Sequence, residues 1–422
     1  MKRMMTLSLF ASLCISIYAQ DGKQQLVTLR DAEQCLMTNN LQLLAEHYEI
    51  NKADAAIIQA KLFDNPVISF EQNVYNRING RYFDFGKDGQ SAIELEQLIY
   101  IAGQHNNRIK LEKANKEKAQ YQFEEIARTL RSELKQDFIH LFYAIQSQQV
   151  YDAEINSLEK IIETASRQQE HGHISLLEQT RLEALLISLQ NDRNELANQI
   201  IHLQATVKLL MGIPADQFLE PILNESILPS IDLTRIPFSD LLEYTQARSD
   251  IKLAKAQTLT SEANMRLQKS LAFPEVSIKG IYDKAGNFIN NYWAIGINVS
   301  IPIFNRNQGN IKTAQYAIKQ SKKQEELSQR LAENELFTAY TRLDKAIQLY
   351  QKTNWNLADN LSEIIDGVNH NFLKRNISLL EFIDYYNSSY KEIYLQLNQI
   401  KQDLFWAIED INIVTDHNVF VY

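Results

Sequence analysis

The chain is short of the residues that cross-link a protein or interrupt its helices. It has two cysteines among 422 residues, Cys14 and Cys35, and only Cys35 would remain after removal of an N-terminal signal. No internal disulfide is then possible, so the fold must be held by packing. Of the seven prolines, four lie between residues 212 and 238. The stretches 67–213 and 303–422 contain none, so both can form long helices.

The sequence also lacks an excess of basic residues and, after residue 20, any long apolar run. Its formal charge is −9, or −11 without Lys2 and Arg3, which argues against nucleic acid or anionic lipid headgroups as main partners. Residues 1–19 have a basic start, an apolar middle and the small residue Ala19 at the end, which predicts a secretory signal peptide. No later stretch approaches the roughly 18 apolar residues of a membrane-spanning helix.

The motifs of common enzyme sites are missing as well. The sequence shows no glycine-rich phosphate loop, no catalytic triad in context and no zinc-ligand spacing. We therefore expect no enzymatic activity and no cofactor. His171 and His173 flank Gly172 and could suggest a metal site, but two histidines at an exposed turn are too few ligands, and we predict no metal.

What the sequence does contain is a repeat of itself at an interval of just over 200 residues. The pentapeptide ISLLE occurs at 174–178 and at 377–381, 203 positions apart, and Pro66 and Pro274 each precede a similar segment. Each half therefore predicts a helix, two strands, a long helix, a turn and a second long helix.

Turn and cap residues give these elements their predicted ends. Gly172 is the only glycine within 104–211, and it should adopt the left-handed conformation that ends a helix. In the second half we assign that conformation to Asn376, because asparagine is the next best residue for it. Thr28, with Asp31 three residues on, and Ser239 are the predicted N-caps of the first helix in each half.

These landmarks define the predicted organisation of the chain. The predicted segments are a signal peptide at 1–19, a first repeat at 20–212, a linker at 213–237, a second repeat at 238–416 and a tail at 417–422.

The long helices have the apolar pattern of coiled coils. The segment from Gln104 to Gln169 would span on the order of 100 Å as one helix, which no compact globular core requires. Leucines recur every seventh position in the returning helix, and this spacing marks helices that coil around neighbours. The ladder consists of Leu182, Leu189, Leu196, Leu203 and Leu210.

Four segments between the helices alternate with period two and predict strands. They are 67–75, 92–100, 275–283 and 292–301. In the last segment one face is apolar and the other is small or polar, as in a barrel wall between lipid and water. The predicted lipid-facing residues are Trp293, Ile295, Ile297, Val299 and Ile301.

Four strands cannot close a barrel, and open sheet edges are not tolerated in lipid. The chain must therefore form oligomers. Two copies would give eight strands and a filled interior, whereas three would give twelve and a lumen. We predict a trimer, with a tetramer as the geometric alternative.

The order of these elements resembles the TolC-type outer-membrane efflux family over essentially the whole mature chain. The resemblance is carried by Asn65-Pro66 and Phe273-Pro274, by Ile301-Pro302-Ile303-Phe304 with the following Asn307 to Ile311, and by the two turns. It implies an α+β membrane protein whose long antiparallel helical hairpins form a coiled-coil tunnel in the periplasm. Four strands per chain would contribute to a twelve-stranded trimeric β-barrel in the outer membrane.

The resemblance also implies a function and partners. Members are passive ducts for export, contacting outer-membrane lipid, a periplasmic adaptor and an inner-membrane pump, here expected to be of the RND type. The turn residues expected to contact the adaptor are Gly172, His173, Ile174, Ser175, Arg375, Asn376, Ile377 and Ser378. Family members often carry an acidic ring inside the periplasmic entrance, and the matching positions hold Glu381 and Asp384.

Two interpretations compete with these expectations. The acids at 381 and 384 could simply be a solvated helix start that interacts favourably with the helix dipole. Similarly, the whole chain could be a periplasmic adaptor or scaffold whose alternating segments form a soluble β-subdomain. The apolar face from Trp293 to Ile301 distinguishes the latter alternative from a membrane channel.

Overall fold

The computed structural model describes residues 25–172, 174–233, 236–285, 289–385 and 391–421. The predicted signal peptide and His173 lie outside these residues. The described helices are α1 (Leu29–Asn39), α2 (Leu41–Ala60), α3 (Gln104–Glu170), α4 (Leu176–Met211), α5 (Phe238–Thr245), α6 (Ser249–Ser270), α7 (Gln308–Lys352), α8 (Leu357–Leu373), α9 (Leu379–Tyr385) and α10 (Lys391–Thr415). None of these described helices is long and apolar enough to cross a membrane.

The described strands form one larger sheet and two small ones. They are β1 (Gln25–Thr28), β2 (Val67–Gln72), β3 (Tyr75–Asn76), β4 (Arg81–Tyr82), β5 (Ser91–Ile99), β6 (Leu219–Ile222), β7 (Glu275–Asp283) and β8 (Tyr292–Ser300). The larger sheet is antiparallel in the order β2-β5-β7-β8. All four strands predicted from the period-two pattern are present, although β2 ends at Gln72, three residues before its predicted end. Strands β5 and β7 pair the first half of the chain with the second.

The chain forms two compact units, and each draws segments from both halves of the sequence. Among the described residues, one unit contains those in 25–45, 124–249 and 330–421; the other contains those in 46–123 and 250–329. The four-stranded sheet belongs to the second unit. The first unit contains both helical turns and, in α4, the predicted leucine ladder, of which four members are buried and Leu196 is half-buried.

Three left-handed residues recur in the two halves and support the duplication. In the first half they are Gly103, Gly172 and Gly212, with φ of 75°, 71° and 66°. Their counterparts, 203 or 204 positions later, are Asn307, Arg375 and Asp416, with φ of 54°, 63° and 51°. The second half therefore keeps the conformation at all three positions without keeping the glycine.

Two turn and cap predictions for the second half were wrong. The left-handed residue at the turn is Arg375, and Asn376 instead donates its backbone N–H to the Asn371 carbonyl at 2.8 Å. Ser239 is not an N-cap but the second residue of α5, which begins at Phe238 with Pro237 as its N-cap, two residues earlier than predicted. The fixed φ of proline suits the entry to a helix. Thr28 and Asp31 do form the predicted cap of α1.

The segment predicted as a linker is partly ordered. Within 213–237, strand β6 pairs in parallel with β1, and a 3-10 helix follows at Glu225–Ser230. Proline removes only one ladder donor, so Pro221 can lie in a short strand of a two-stranded sheet. The proline-rich composition concealed this strand.

Candidate functional site

The two ISLLE segments form the same local structure at two helical turns. The backbone N–H and hydroxyl of Ser175 each donate to Glu178 Oε2 at 2.8 Å, and the Glu178 N–H donates to Ser175 Oγ at 3.2 Å. Ser378 and Glu381 make the same three bonds at 2.8, 2.8 and 3.3 Å. Such a capping box pairs two N–H groups that the start of a helix would otherwise leave unbonded. The repeated pentapeptide therefore encodes a helix start after each turn.

A shared apolar cluster lies beneath both turns. Its buried members are Leu158, Ile161, Ala165, Ile174, Leu182, Leu185, Leu189, Val368, Phe372, Leu379 and Phe382. The rings of Phe372 and Phe382 stack with their centroids 4.3 Å apart. The two turns, which are 203 positions apart in sequence, therefore pack as one structural end, which we call the hairpin tip.

The hairpin tip divides the predicted adaptor-contact residues into inward and outward sets. Ile174 is buried in the cluster, and Ile377 is partly buried against it. The exposed members are Gly172, Ser175, Arg375, Asn376 and Ser378. The sequence prediction did not include three exposed leucines beside the turns, although they belong to the repeated pentapeptide. They are Leu176, Leu177 and Leu380, which are 68%, 63% and 71% exposed.

The predicted acidic residues lie on the first turns of α9. Hydrogen bonds from the backbone N–H and hydroxyl of Ser378 lower the pKa of Glu381. The equivalent bonds from Ser175 lower the pKa of Glu178, and the positive charge of Arg375 adds to this effect. Asp384 is exposed three residues after Glu381. The structure thus gives Glu381 a helix-capping role, while an acidic ring stays a prediction.

One face of the four-stranded sheet is apolar and exposed. Cross-strand pairing places Phe70, Ile93, Tyr282 and Trp293 in one row, and Ile68, Leu95, Gly280 and Ile295 in the next. Single exposed apolar residues are common on proteins, but a contiguous apolar face marks an interaction surface. The predicted lipid-facing residues Trp293, Ile295, Ile297, Val299 and Ile301 are 75%, 86%, 72%, 45% and 66% exposed, and Ile301 lies just after the end of β8.

The opposite face of the sheet is polar and carries an ion-pair network. Lys279 Nζ lies 2.6 Å from a Glu94 oxygen and 3.2 Å from a Glu96 oxygen. The Ser277 hydroxyl donates to Glu96. These residues alternate in sequence with the apolar ones, so the two faces follow directly from the period-two pattern.

Of the two histidines at the first turn, only His171 lies within the residues that the structure describes. No group of three or more His, Cys, Asp or Glu side chains is arranged to hold an ion among those residues. His171 is exposed.

Comparison with known proteins identifies related sequences and structures. Residues 21–213 match the outer membrane efflux protein family. A curated relative, the cobalt-zinc-cadmium resistance protein CzcC of Cupriavidus metallidurans, is 24% identical over 295 residues, which are 68% of this chain and 66% of CzcC. The match thus spans just under two thirds of the length of that relative.

Solved structures share the fold at low sequence identity. The transmembrane-channel protein CusC superposes with a TM-score of 0.73 at 16% identity, over 92% of this chain and 91% of that one. The outer membrane channel CmeC of Campylobacter jejuni superposes with a TM-score of 0.70 at 16% identity, over 92% and 85% of the two chains. These likenesses establish the fold over nearly all of the chain.

Proposed function

We propose that this chain is a member of the outer membrane efflux protein family and forms the passive outer-membrane channel of a tripartite export system. The observation that carries the proposal is the four-stranded sheet, with its exposed apolar face and its polar opposite face. A sheet of this kind separates lipid from water. The long helices at α3, α4 and α7 supply the part that would extend into the periplasm.

A homotrimer is the assembly that this sheet supports. Strands β2 and β8 are the edges of the sheet, and neither edge is paired within the described residues. Unpaired edges are costly in lipid, so β8 of one copy should pair with β2 of the next. Three copies give twelve strands around a lumen.

The hairpin tip is the proposed contact for a periplasmic adaptor, which would connect the channel to an inner-membrane pump of the RND type. The exposed leucines Leu176, Leu177 and Leu380 support this role, because they place apolar surface beside both turns. In a trimer, Glu381 and Asp384 would supply six carboxylates near the periplasmic entrance. Such a ring would favour cations.

Divalent metal cations are the cargo class that the comparisons favour. The relative in C. metallidurans is described as a cobalt-zinc-cadmium resistance protein. A strain lacking this chain should therefore become more sensitive to zinc, cobalt or cadmium, and the intact gene should restore growth. Sensitivity to drugs without sensitivity to these metals would contradict this cargo class.

Membrane fractionation tests the channel against the alternative of a periplasmic adaptor or scaffold. The channel should fractionate with outer membranes, resist extraction by alkaline carbonate and produce conductance in planar bilayers. Recovery as a soluble periplasmic species, without conductance, would reject the channel and favour the adaptor. The variant I295D, on the apolar face, should reduce membrane assembly, whereas A294D, at the neighbouring position on the opposite face, should not.

A further inference from the structure

The connection between β2 and β5 is a folded loop rather than an open link. In this loop, residues 73–90, the buried carboxylate of Asp84 accepts hydrogen bonds from the side-chain amides of Asn76 and Asn79 and from the Gly86 N–H. The Asn76 amide also donates to the Asp88 carbonyl at 2.7 Å. Lys284, from outside the loop, donates to the carbonyls of Phe85 and Gly86. These bonds fix the loop in one conformation.

This conformation directs large apolar side chains outward. Ile78, Tyr82 and Phe85 are 85%, 71% and 66% exposed, and the rings of Tyr75 and Tyr82 lie 5.0 Å apart on the short β3-β4 hairpin. A loop that folds around buried polar groups and exposes apolar ones has the reverse of the usual arrangement. Exposed apolar patches of this kind mark surfaces that bind another phase or molecule.

Basic side chains lie among the exposed apolar ones. Arg77, Arg81 and Lys87 are exposed, and none of them forms an ion pair among the described residues, although the charge of Arg81 also acts on Asp84. The acids of the loop are Asp84, which is buried and bonded internally, and Asp88, which is exposed. The outward surface therefore carries three cations and one anion.

The position of the loop in the sheet indicates what this surface faces. The segments that lead to helices join the sheet before β2, after β5, before β7 and after β8, so the loop lies at the opposite end. Under the proposed function, the helical end faces the periplasm and the loop faces the outer leaflet. The apolar face also reaches the loop end, because its row of Phe70, Ile93, Tyr282 and Trp293 lies near the end of β2.

We infer that the loop at 73–90 binds the phosphate-bearing headgroups of outer-leaflet lipid through Arg77, Arg81 and Lys87, with its aromatic and aliphatic side chains inserted beside them. This inference rests on the proposed function, since it requires the apolar face of the sheet to lie in the membrane. Aromatic residues favour the interfacial depth of a bilayer, and Lys and Arg attract anionic headgroups. The charge and the exposed rings therefore fit one partner, a phosphorylated lipid surface.

The test compares two forms of the same lipid. The full-length oligomer in zwitterionic nanodiscs is titrated with diphosphoryl lipid A and with its dephosphorylated form. Each basic side chain should contribute about fivefold to the preference for the phosphorylated form, so the three together should give a preference on the order of a hundredfold. The triple variant R77Q/R81Q/K87Q should lose that preference, and each single variant should lose about fivefold.

A matched control removes the same charge from the helices. The variant R181Q/R266Q/K160Q also replaces two arginines and one lysine at exposed positions, and it should keep the full preference. Wild-type protein without a preference for phosphate would overturn the inference, as would a triple variant that keeps it. Cross-linking of Ile78 to another copy in the membrane would also overturn it. Conductance, measured after the same protein preparations are reconstituted into planar bilayers, reports separately on the proposed channel.

Discussion

Asn40 and Arg248, 208 positions apart, make the same contact in the two halves of the chain. The buried Asn40 amide donates to the carbonyl of Leu210 at 2.9 Å, and the buried Arg248 guanidinium donates to the carbonyl of Val414 at 3.3 Å. Each carbonyl belongs to the second-last residue of a helix, α4 or α10. The last four carbonyls of a helix have no hydrogen-bond donor within that helix. In each half, the donor is the side chain of a residue that lies between the first two helices of that half.

Arg248 should be the more costly of these two residues to replace. Its side chain is 2% exposed and also pairs with Glu335 at 2.8 Å, so R248M would remove the donor to a buried carbonyl and a positive charge near a helix C-terminus. We expect a loss of about 3 kcal/mol in the free energy of unfolding, measured by urea titration in detergent.

The control for this variant is R342M. Arg342 is 69% exposed and lies 3.6 Å from an Asp410 oxygen, so its loss should cost less than about 1 kcal/mol. Equal losses for R248M and R342M would contradict a special role for the buried contact. N40A should lower stability by about 1 to 2 kcal/mol, because Asn40 also accepts the Leu43 N–H at the start of α2.

R375G should stabilise the hairpin tip. Arg375 has a φ of 63°, a conformation that costs a residue with a Cβ roughly 1 kcal/mol and that glycine adopts freely. We expect the free energy of unfolding to rise by about 1 kcal/mol in the same urea titration. The control R375A keeps the Cβ and removes the charge, so it should not raise the free energy of unfolding. If R375A raised it as much as R375G, the effect would come from loss of the charge.

Gly172 provides the reciprocal test. Its φ is 71°, and a Cβ added there would meet no atom within 4 Å. G172A therefore introduces backbone strain without a steric clash, and it should lower stability by about 1 kcal/mol. If G172A were neutral while R375G stabilised, the two turns would not be energetically equivalent.

These turns also show how far the sequence could predict the structure. Regular spacing predicted the four strands and the long helix from Gln104, because periods of two and of three to four directly reflect which face is buried. Conformation at single positions was harder to predict. Arg375 and Asp416 adopt a left-handed φ that their residue types disfavour, and only alignment with Gly172 and Gly212 reveals it.

The candidate site was predictable to a similar degree. The alternation that exposes Trp293 and Ile295 on one face was visible in the sequence. The role of Glu381 in a capping box could have been found by the Ser-x-x-Glu spacing of the repeated pentapeptide. The contact of Arg248 with Val414 could not have been found from the sequence, because tertiary packing brings together two residues that are 166 positions apart.

The repeated capping box offers a test of the proposed acidic ring. Glu178 and Glu381 make the same bonds to Ser175 and Ser378, so E178A and E381A should weaken their helix starts equally. If the ring exists, E381A/D384A should reduce the preference for cations over anions in planar-bilayer conductance several-fold, and E178A should not. If both variants had the same ion selectivity, Glu381 would act only as a helix cap and there would be no acidic ring.

Glu154 should make the stability of the first compact unit, to which it belongs, depend on pH. Its side chain is 2% exposed, neither carboxylate oxygen has a hydrogen-bond partner among the described residues, and burial raises its pKa to about 7. Lys391 opposes this shift and Asp192 adds to it. An acid with a raised folded pKa binds more protons when folded, so stability should fall as pH rises from about 4.5 to about 7. We expect E154Q to remove this fall, because it should add about 3 kcal/mol to the free energy of unfolding at pH 8 but little at pH 4. The control is E159Q, at an exposed position of the same helix, which should change the free energy of unfolding at neither pH. A gain from E154Q that is equal at both pH values would show that Glu154 does not titrate in this range.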